Sequence, residues 1–371
     1  MKIAFIDVTA TVSFGGIQTA VWELAIALTD LGYDITVFSG EGSIQPNLRG
    51  RKIKILQYPF IARERFWKLG SRFQRIMERV SFAKASYKSV KSFDFDWVVL
   101  TKPFDFFWAY LLSANTSTIF MSGGTDFYKI DKKLSKRICV WVACSHFNAW
   151  QIQNHYKKFP DVIYNGVDIN HFKPNTLVRN LKRRELKYDE QDIILAFAGR
   201  LVGWKGIRLI IEVLAKYFYS KPHIKLLIIG DGPELGQLQK SVREYQLDNR
   251  VSWLGKVSHS HIPDYYNAAD IGVFPSIGDE AFGITIAEAM SCGLPVIASY
   301  IGGIPELVGN DEQCGLLFTT GHVDDLAEKI NNLLNSDKHL RMGIKARERI
   351  MQQFTWQHSA QRLLKAIKSS M

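Results

Sequence analysis

Two glutamates, Glu280 and Glu288, flank Gly283 in the stretch GDEAFGITIAEAM (278–290) and are the most informative residues for chemistry. A glycine that opens a helix exposes backbone N–H groups, which bind phosphate. Glu288 then lies roughly 7–8 Å along that helix, within reach of both hydroxyls of a ribose whose diphosphate sits at the helix start. Glu280 precedes the helix and can reach a group on the opposite side of the phosphates.

Two basic residues, Arg200 and Lys205, belong to a second loop of the same kind. Arg200 follows an apolar strand and Lys205 begins the next helical pattern. A basic pair at one edge of a sheet would neutralise the charge that grows on a diphosphate as its bond to a sugar breaks. Each residue alone is equally well explained as a solvated helix cap, and Glu288 as a surface residue of its helix.

These loops need strands and helices to position them, and the sequence alternates the two. Ile3–Val8, a helical pattern over Gln18–Leu31 and Ile35–Phe38 form a βαβ unit, which requires a parallel sheet. The second half repeats the rhythm, with strands predicted at Ile193–Ala198, Lys225–Ile229, Val251–Leu254, Ile271–Phe274 and Val296–Ser299. The predicted fold is α/β, with two Rossmann-like doubly wound domains facing a cleft. In such domains ligands bind at the carboxyl ends of the strands.

Several classes of protein are disfavoured by the sequence. The dinucleotide fingerprint after Gly230 fails because position 235 is leucine, and there is no GxxxxGK[ST] phosphate loop. The four cysteines lack C-x-x-C spacing, which argues against a zinc site or a disulfide framework. Asp94 and Asp96 form a D-x-D motif but precede a strand, so we expect them to be structural. No apolar run is long enough to span a bilayer and no leader is evident, which predicts a cytoplasmic protein.

An ordered set of motifs resembles the retaining glycosyltransferases of the GT-B fold, family 4, over nearly the whole chain. Glu280 and Glu288 match the Glu-x7-Glu signature of that family. The other matching segments are Gly15-Gly16, VIYNGVD (162–168), FAGRLVGWKG (197–206), IGDGPE (229–234), WLGKV (253–257), CGLPV (292–296) and GGIPE (302–306).

The resemblance implies transfer of a sugar, with retention, from a nucleotide-diphosphate donor, for which a UDP-sugar is favoured. The acceptor is expected to be a glycan or lipid-linked molecule in surface polysaccharide or glycolipid synthesis. No metal or cofactor is expected, because the leaving phosphate takes the proton of the acceptor. The implied catalytic residues are Glu280, Arg200 and Lys205. The implied donor-binding residues are Gly16, Arg200, Lys205, Val257, Ser258, Glu280, Ala281, Phe282, Gly283, Ile284, Thr285 and Glu288.

The same reasoning divides the chain into four segments. Residues 1–165 are expected to form an acceptor-side Rossmann-like domain, and residues 191–353 the nucleotide-sugar-binding one. Residues 166–190, rich in Asn, Lys and Arg, are the expected linker. Residues 354–371 are expected to form a helix that returns to the N-terminal domain.

One departure from the family pattern concerns the acceptor side. Many family members carry a histidine near the reacting sugar, where this chain has Gly123 in the segment MSGGTD (121–126). Gly123 and Asp126 are therefore the acceptor-side candidates. The departure leaves open a nucleotide-binding subunit without catalytic activity. A nucleotide-sugar epimerase of the same fold is a second alternative, because a fold does not fix the reaction.

The net charge of +11 is concentrated between residues 61 and 91, which contain nine basic and two acidic residues. An apolar stripe over Phe66–Val80 has helical spacing and is expected to pack into its own domain, leaving the basic face and Phe66-Trp67 exposed. We expect this segment to bind an anionic membrane surface, peripherally on the inner face. Nucleic-acid binding is not expected, because no recognition module is evident.

Overall fold

The computed structural model describes residues 1–67, 69–124, 127, 131–334 and 338–370. The chain forms two compact units. The first consists of Met1–Gly166 and Trp356–Met371, and the second of Val167–Thr355. Each unit contains one parallel sheet with helices, so the predicted α/β class with two doubly wound domains is confirmed.

The first unit is built on a seven-stranded parallel sheet of order β3-β2-β1-β4-β5-β6-β7. The strands are β1 (Lys2–Ile6), β2 (Asp34–Gly40), β3 (Lys54–Tyr58), β4 (Trp97–Leu100), β5 (Ser117–Ser122), β6 (Val140–Ala143) and β7 (Asp161–Val162). Ile3 pairs with Ile35 on one side and Trp97 on the other. Central strands of this kind are buried on both faces, which is why β1 and β4 are almost wholly apolar.

The helices of the first unit cover that sheet. They are α1 (Gly16–Asp30), α2 (Ser71–Ser92), α3 (Trp108–Leu111), α4 (Asp131–Leu134) and α5 (His146–Tyr156). Ser145 caps α5 by accepting a hydrogen bond of 3.0 Å from the amide of Asn148. Asp96, at the entrance to β4, accepts a hydrogen bond of 2.7 Å from the Lys2 amide, which is the structural role expected for the D-x-D motif.

The first half of α2 corrects the prediction for the apolar stripe. Leu69, Ile76 and Val80 are exposed, whereas the charged side chains of Glu78 and Arg79 are buried. Phe73 and Met77 of the same stripe are half-buried, so only part of the stripe packs inwards. The physical reason is that Arg79 finds two buried carboxylate partners on the inner side, which a hydropathy pattern along one helix cannot show.

The second unit contains a six-stranded parallel sheet of order β10-β9-β8-β11-β12-β13. Its strands are β8 (Ile193–Ala198), β9 (Ile224–Ile229), β10 (Val251–Trp253), β11 (Ile271–Phe274), β12 (Val296–Ser299) and β13 (Gly315–Phe318). In both sheets the strand order reverses beside the first strand, between β1 and β4 and between β8 and β11. Such switch points open a crevice at the carboxyl ends of the strands, where ligands bind.

The helices of the second unit are α6 (Thr176–Glu185), α7 (Ile207–Lys216), α8 (Leu235–Glu244), α9 (Ile262–Ala268), α10 (Ile284–Ser291), α11 (Ile304–Val308), α12 (Val323–Leu334) and α13 (Lys338–Gln353). The segment expected to be a linker contains α6 and belongs to this unit. Arg179 and Arg183 of α6 form ion pairs of 2.6 and 3.1 Å with Asp270, just before β11. These pairs explain why a strongly basic segment folds onto the sheet.

The last helix, α14 (Trp356–Ser370), belongs to the first unit. Trp356, Ala360 and Leu363 lie in the same apolar core as Val21 and Leu24 of α1. Ser359 Oγ donates a hydrogen bond of 2.7 Å to the Tyr164 carbonyl. The chain thus returns to the first unit after it has passed through the second. Within the described ranges, no helix has both the length and the apolar character needed to cross a membrane.

Candidate functional site

The candidate site of the second unit lies at its switch point, where two loops are joined by backbone hydrogen bonds. The amides of Ile277 and Gly278, after β11, both donate to the Trp204 carbonyl, after β8, at 2.8 and 3.1 Å. Gly206 has a φ of +66°, and a Cβ there would lie only 1.9 Å from the Pro275 carbonyl oxygen. The two loops therefore fit closely only because position 206 is glycine.

The joined loops bring Lys205 and Glu280 together. Lys205 Nζ pairs with Glu280 Oε2, although the residues are 75 positions apart, and the two side chains are only 15% and 17% exposed. Lys205 Nζ also lies 4.5 Å from the centre of the Trp204 ring. A lysine held by a carboxylate and an aromatic face is fixed in position before any ligand arrives. Arg200 is exposed, and among the residues that the structure describes its guanidinium has no hydrogen-bond or ion-pair partner.

Helix α10 begins at Ile284, and its N-cap residue, Gly283, lies three residues after Glu280. Glycine brings no capping side chain, and Gly283 O accepts its first helical bonds from Ile286 and Ala287. The amides of Ile284 and Thr285 are thus the uncapped donors that suit an anion. The side chains of Ala281 and Phe282 are buried beside this helix start.

Glu288 is the buried carboxylate of α10, only 3% exposed. Its Oε1 lies 2.7 Å from Nε2 of His259, which belongs to the loop after β10. Tyr266 OH donates a bond of 2.9 Å to the Thr285 carbonyl. Burial, reinforced by the Glu288 charge, raises the pKa of Tyr266 well above its usual value, so this hydroxyl stays protonated. The first turns of α10 are therefore rigidly supported.

The structure thus brings most of the predicted donor residues into one unit. Val257 and Ser258 directly precede His259, and Ser258 Oγ lies 2.9 Å from Ser260 Oγ. His259 and Trp204 were missed by the sequence analysis. No spacing signal in the sequence shows that His259 contacts Glu288, 29 residues further along the chain.

The remaining predicted residues lie in the first unit. Gly16 starts α1 after β1. Gly123 follows β5, and a Cβ there would lie 3.0 Å from Ile17 Cγ1. A side chain at this position would therefore require Ile17 to shift by a few tenths of an ångström. Asp126 lies outside the described residues.

Comparison with known protein families agrees with this geometry. A family model described as "Glycosyl transferases group 1" matches residues 178–349, and one described as "Glycosyltransferase Family 4" matches residues 14–171. The chain belongs to the group 1, family 4 glycosyltransferases. The family resemblance seen in the sequence motifs is confirmed.

Relatives of this glycosyltransferase include the D-inositol 3-phosphate glycosyltransferase of Segniliparus rotundus, 29% identical over 62% of this chain and 52% of the relative. The phosphatidylinositol N-acetylglucosaminyltransferase gpi3 subunit of Schizosaccharomyces pombe is 32% identical over 53% of this chain and 42% of the relative. The chain thus spans about half the length of these relatives, or less.

Solved structures with the same fold cover the whole glycosyltransferase chain. Anabaena HepE in complex with UDP and glucose superposes with a TM-score of 0.83 at 23% identity, over 100% of both chains. Sucrose-phosphate synthase of Thermosynechococcus elongatus gives a TM-score of 0.83 at 22% identity, over 99% of this chain and 98% of the other. At these identities the likeness establishes the fold, which is GT-B.

Proposed function

We propose that this protein transfers a sugar, with retention of configuration, from a nucleotide-diphosphate donor to a glycan or lipid-linked acceptor. One observation carries the proposal: Lys205 and Glu280 meet beside the uncapped start of α10, with Glu288 buried further along that helix. A cation, free amides and a buried carboxylate are what a diphosphate joined to a ribose requires. UDP is the favoured nucleotide, and the UDP complex of HepE supports this choice.

The roles follow from the chemistry of each group. Lys205, Arg200 and the amides of Ile284 and Thr285 bind the diphosphate, assisted by Gly16 and by the backbone of residues 281–283. Glu288 accepts hydrogen bonds from the ribose hydroxyls. Val257 and Ser258 contact the base, largely through their backbone.

The Lys205–Glu280 ion pair forms in the free protein and exchanges partners when the donor binds. In the free protein the carboxylate holds the ammonium in place. When a diphosphate binds, Lys205 turns to the phosphate, and Glu280 becomes available to accept hydrogen bonds from the transferred sugar. The lysine then stabilises the negative charge that develops on the leaving phosphate.

The reaction needs no nucleophile from the protein. The acceptor oxygen forms a bond to the anomeric carbon on the face from which the diphosphate departs. The bond between that carbon and the phosphate oxygen breaks, and the acceptor proton passes to the leaving phosphate. The products are the glycosylated acceptor and a nucleoside diphosphate.

The test uses slow hydrolysis, because it needs no acceptor. The protein is incubated with UDP-glucose, UDP-galactose, UDP-N-acetylglucosamine and GDP-mannose separately, and the anomer of the released sugar is followed by NMR. We expect nucleoside diphosphate release from one donor, with the α-anomer appearing first from an α-linked donor. Release of the β-anomer first would contradict retention, and no release from any donor would contradict the donor assignment.

We further propose that the enzyme acts on the inner face of an anionic membrane. The outer face of α2 and of the segment before it supports this; we define this outer face as Trp67 and Leu69 before the helix and Arg72, Ile76 and Val80 within it. Trp67 is 79% and Leu69 66% exposed, and basic residues surround them. Apolar side chains that enter the headgroup region, together with about 1 kcal/mol per basic residue near the surface, give peripheral binding. Surface polysaccharide or glycolipid synthesis would use such a position.

Vesicle sedimentation tests this face. Ile76→Ser with Val80→Ser should reduce binding to vesicles that contain phosphatidylglycerol. The control is Leu340→Ser with Ile344→Ser, which removes two apolar side chains of α13 that are more exposed than Ile76 and Val80. Equal binding by the α2 variant and this control would exclude the outer face as the contact.

A further inference from the structure

His259 lies between two parts of the donor site, the loop after β10 and the buried carboxylate of α10. It directly follows Val257 and Ser258 in that loop, and its Nε2 lies 2.7 Å from Glu288 Oε1. The proposed function assigns the base to that loop and the ribose to Glu288. All these residues belong to the second unit, so the contact lies within one compact body.

The hydrogen bond with His259 fixes one oxygen of a buried carboxylate. The Glu288 side chain is only 4% exposed, and among the described residues His259 is its one hydrogen-bond partner. An ionised carboxylate only accepts hydrogen bonds, so Nε2 of His259 carries the proton and is the donor. Because Oε1 is occupied by His259, Oε2 is the oxygen that remains for the hydroxyls of a ligand.

The imidazole of His259 is itself backed by a buried ring. The ring centres of His259 and Phe172 are 5.2 Å apart, with the planes tilted by 56°, and Phe172 is only 1% exposed. The Phe172 carbonyl accepts hydrogen bonds of 2.7 Å from Ser291 Oγ and 3.0 Å from Arg347 Nη1. These bonds hold the segment that carries Phe172, so the imidazole packs against a fixed surface.

The contacts of His259 return to the helix from which they start. Ser291 lies three residues after Glu288 and therefore on the same side of α10. The contacts run from Glu288 to His259, then to Phe172, and back to α10 at Ser291. Turning the carboxylate away would break its bond to His259 or displace a buried ring. Glu288 is thus fixed before a ligand binds, which lowers the entropic cost of binding.

We infer that His259 is a positioning residue, which holds Glu288 so that the carboxylate accepts hydrogen bonds from the ribose hydroxyls. The inference rests on the proposed donor site, and it adds the origin of a selectivity for ribonucleotides. A ligand without these hydroxyls leaves a desolvated carboxylate unpaired, and sites of this kind discriminate strongly against such analogues. Without His259 the carboxylate is free to turn, and the discrimination should decrease.

The experiment compares two ligands on the full chain. UDP and 2′,3′-dideoxy-UDP are each titrated by calorimetry into the wild type and into His259→Phe, which keeps a ring against Phe172 but lacks the hydrogen-bond donor. Losing the orientation of one bond to a charged group should weaken the binding of UDP about tenfold. The binding of the dideoxy ligand should change little, so the preference for UDP should fall by the same factor.

Two further variants isolate the hydrogen bond. His259→Gln can place an amide N–H where Nε2 lies, so it should restore most of the preference for UDP. The matched control is His261→Phe, because the His261 side chain is 67% exposed and pairs only at 3.5 Å with Asp264. This control should bind both ligands like the wild type. If His259→Phe loses the wild-type melting profile, His259→Asn, whose amide is too short to reach Glu288, replaces it in the comparison with His259→Gln.

The outcomes separate this inference from the donor site on which it rests. The inference is overturned if His259→Phe binds both ligands like the wild type, or if it weakens both by the same factor. It is also overturned if His259→Gln binds UDP no more tightly than His259→Phe, because ring packing and not the hydrogen bond would then position Glu288. Failure of the wild type to bind UDP would overturn the donor site as well, which none of the other outcomes does.

Discussion

Replacing Glu288 by glutamine tests the most buried side chain of the donor site. Glutamine has nearly the same shape and keeps an oxygen for the contact with His259, which is 2.7 Å in the structure. The substitution therefore removes the charge with little change in packing. If Glu288 binds the ribose, the loss should depend on the ribose hydroxyls of the ligand.

The expected magnitude follows from the burial of Glu288, which is 3% exposed, so that solvent screens its charge little. A hydrogen bond to a charged group contributes about 1.5–3 kcal/mol and a neutral one about 0.5–1.5 kcal/mol. Neutralising an acceptor of two hydroxyls should thus cost roughly 2–3 kcal/mol, or about 30- to 150-fold in the dissociation constant of UDP.

The assay combines a change in the protein with a change in the ligand. UDP and 2′,3′-dideoxy-UDP are each titrated by calorimetry into the wild type and into Glu288→Gln. Glu288→Gln should weaken the binding of UDP by about 30- to 150-fold and leave the binding of the dideoxy ligand almost unchanged. Glu244→Gln, an exposed substitution on α8, is the matched control. Equal losses for the two ligands would refute the ribose contact and show that Glu288 acts only by supporting His259.

Three further predictions concern chemistry, pH and backbone geometry. Lys205→Ala should lower turnover by roughly 10²-fold or more, the scale of one lost transition-state contact, while Lys240→Ala should leave initial rates unchanged. Burial raises the pKa of Asp105 to about 6, so the native state keeps a proton that the unfolded state has released, and stability falls as pH rises through that value. Between about pH 5 and pH 8, the free energy of unfolding of the wild type, measured in urea, should fall by about 1 kcal/mol more than that of Asp105→Asn. An equal change in the two proteins would contradict this. Gly206→Ala should destabilise by roughly 1–3 kcal/mol in thermal unfolding, whereas Gly236→Ala, in open space on a helix, should stabilise slightly.

The sequence predicted the strands well because buried parallel strands are continuous apolar runs. The structure has β4 at Trp97–Leu100 and β8 at Ile193–Ala198, as expected from their composition. Motif order was equally informative, because the motifs that contain Lys205 and Glu280 follow neighbouring strands. Residues that follow neighbouring parallel strands meet at one edge of the sheet, as Lys205 and Glu280 do.

The failures share one cause, which is that their partners are distant in sequence. The basic composition of α6 suggested a linker, but Asp270 pairs with two of its arginines. The apolar stripe of α2 suggested a buried face, but Ile76 and Val80 of that stripe are exposed and Arg79 is buried with Asp105, which lies beyond the helix and β4 in the chain. Hydropathy patterns weigh each side chain alone, so they cannot anticipate a charge that is buried with a distant counter-ion.

The most direct test of the account is a thermal-shift titration of the full chain with UDP, GDP and ADP, with and without EDTA. At 100 times its dissociation constant, the correct nucleotide should stabilise the protein by about 2.7 kcal/mol. We predict that one of these nucleotides, with UDP favoured, raises the melting temperature. EDTA should leave this shift unchanged, and Lys205→Ala should reduce it. A shift for none of the three nucleotides would contradict the donor site on which the proposed function depends.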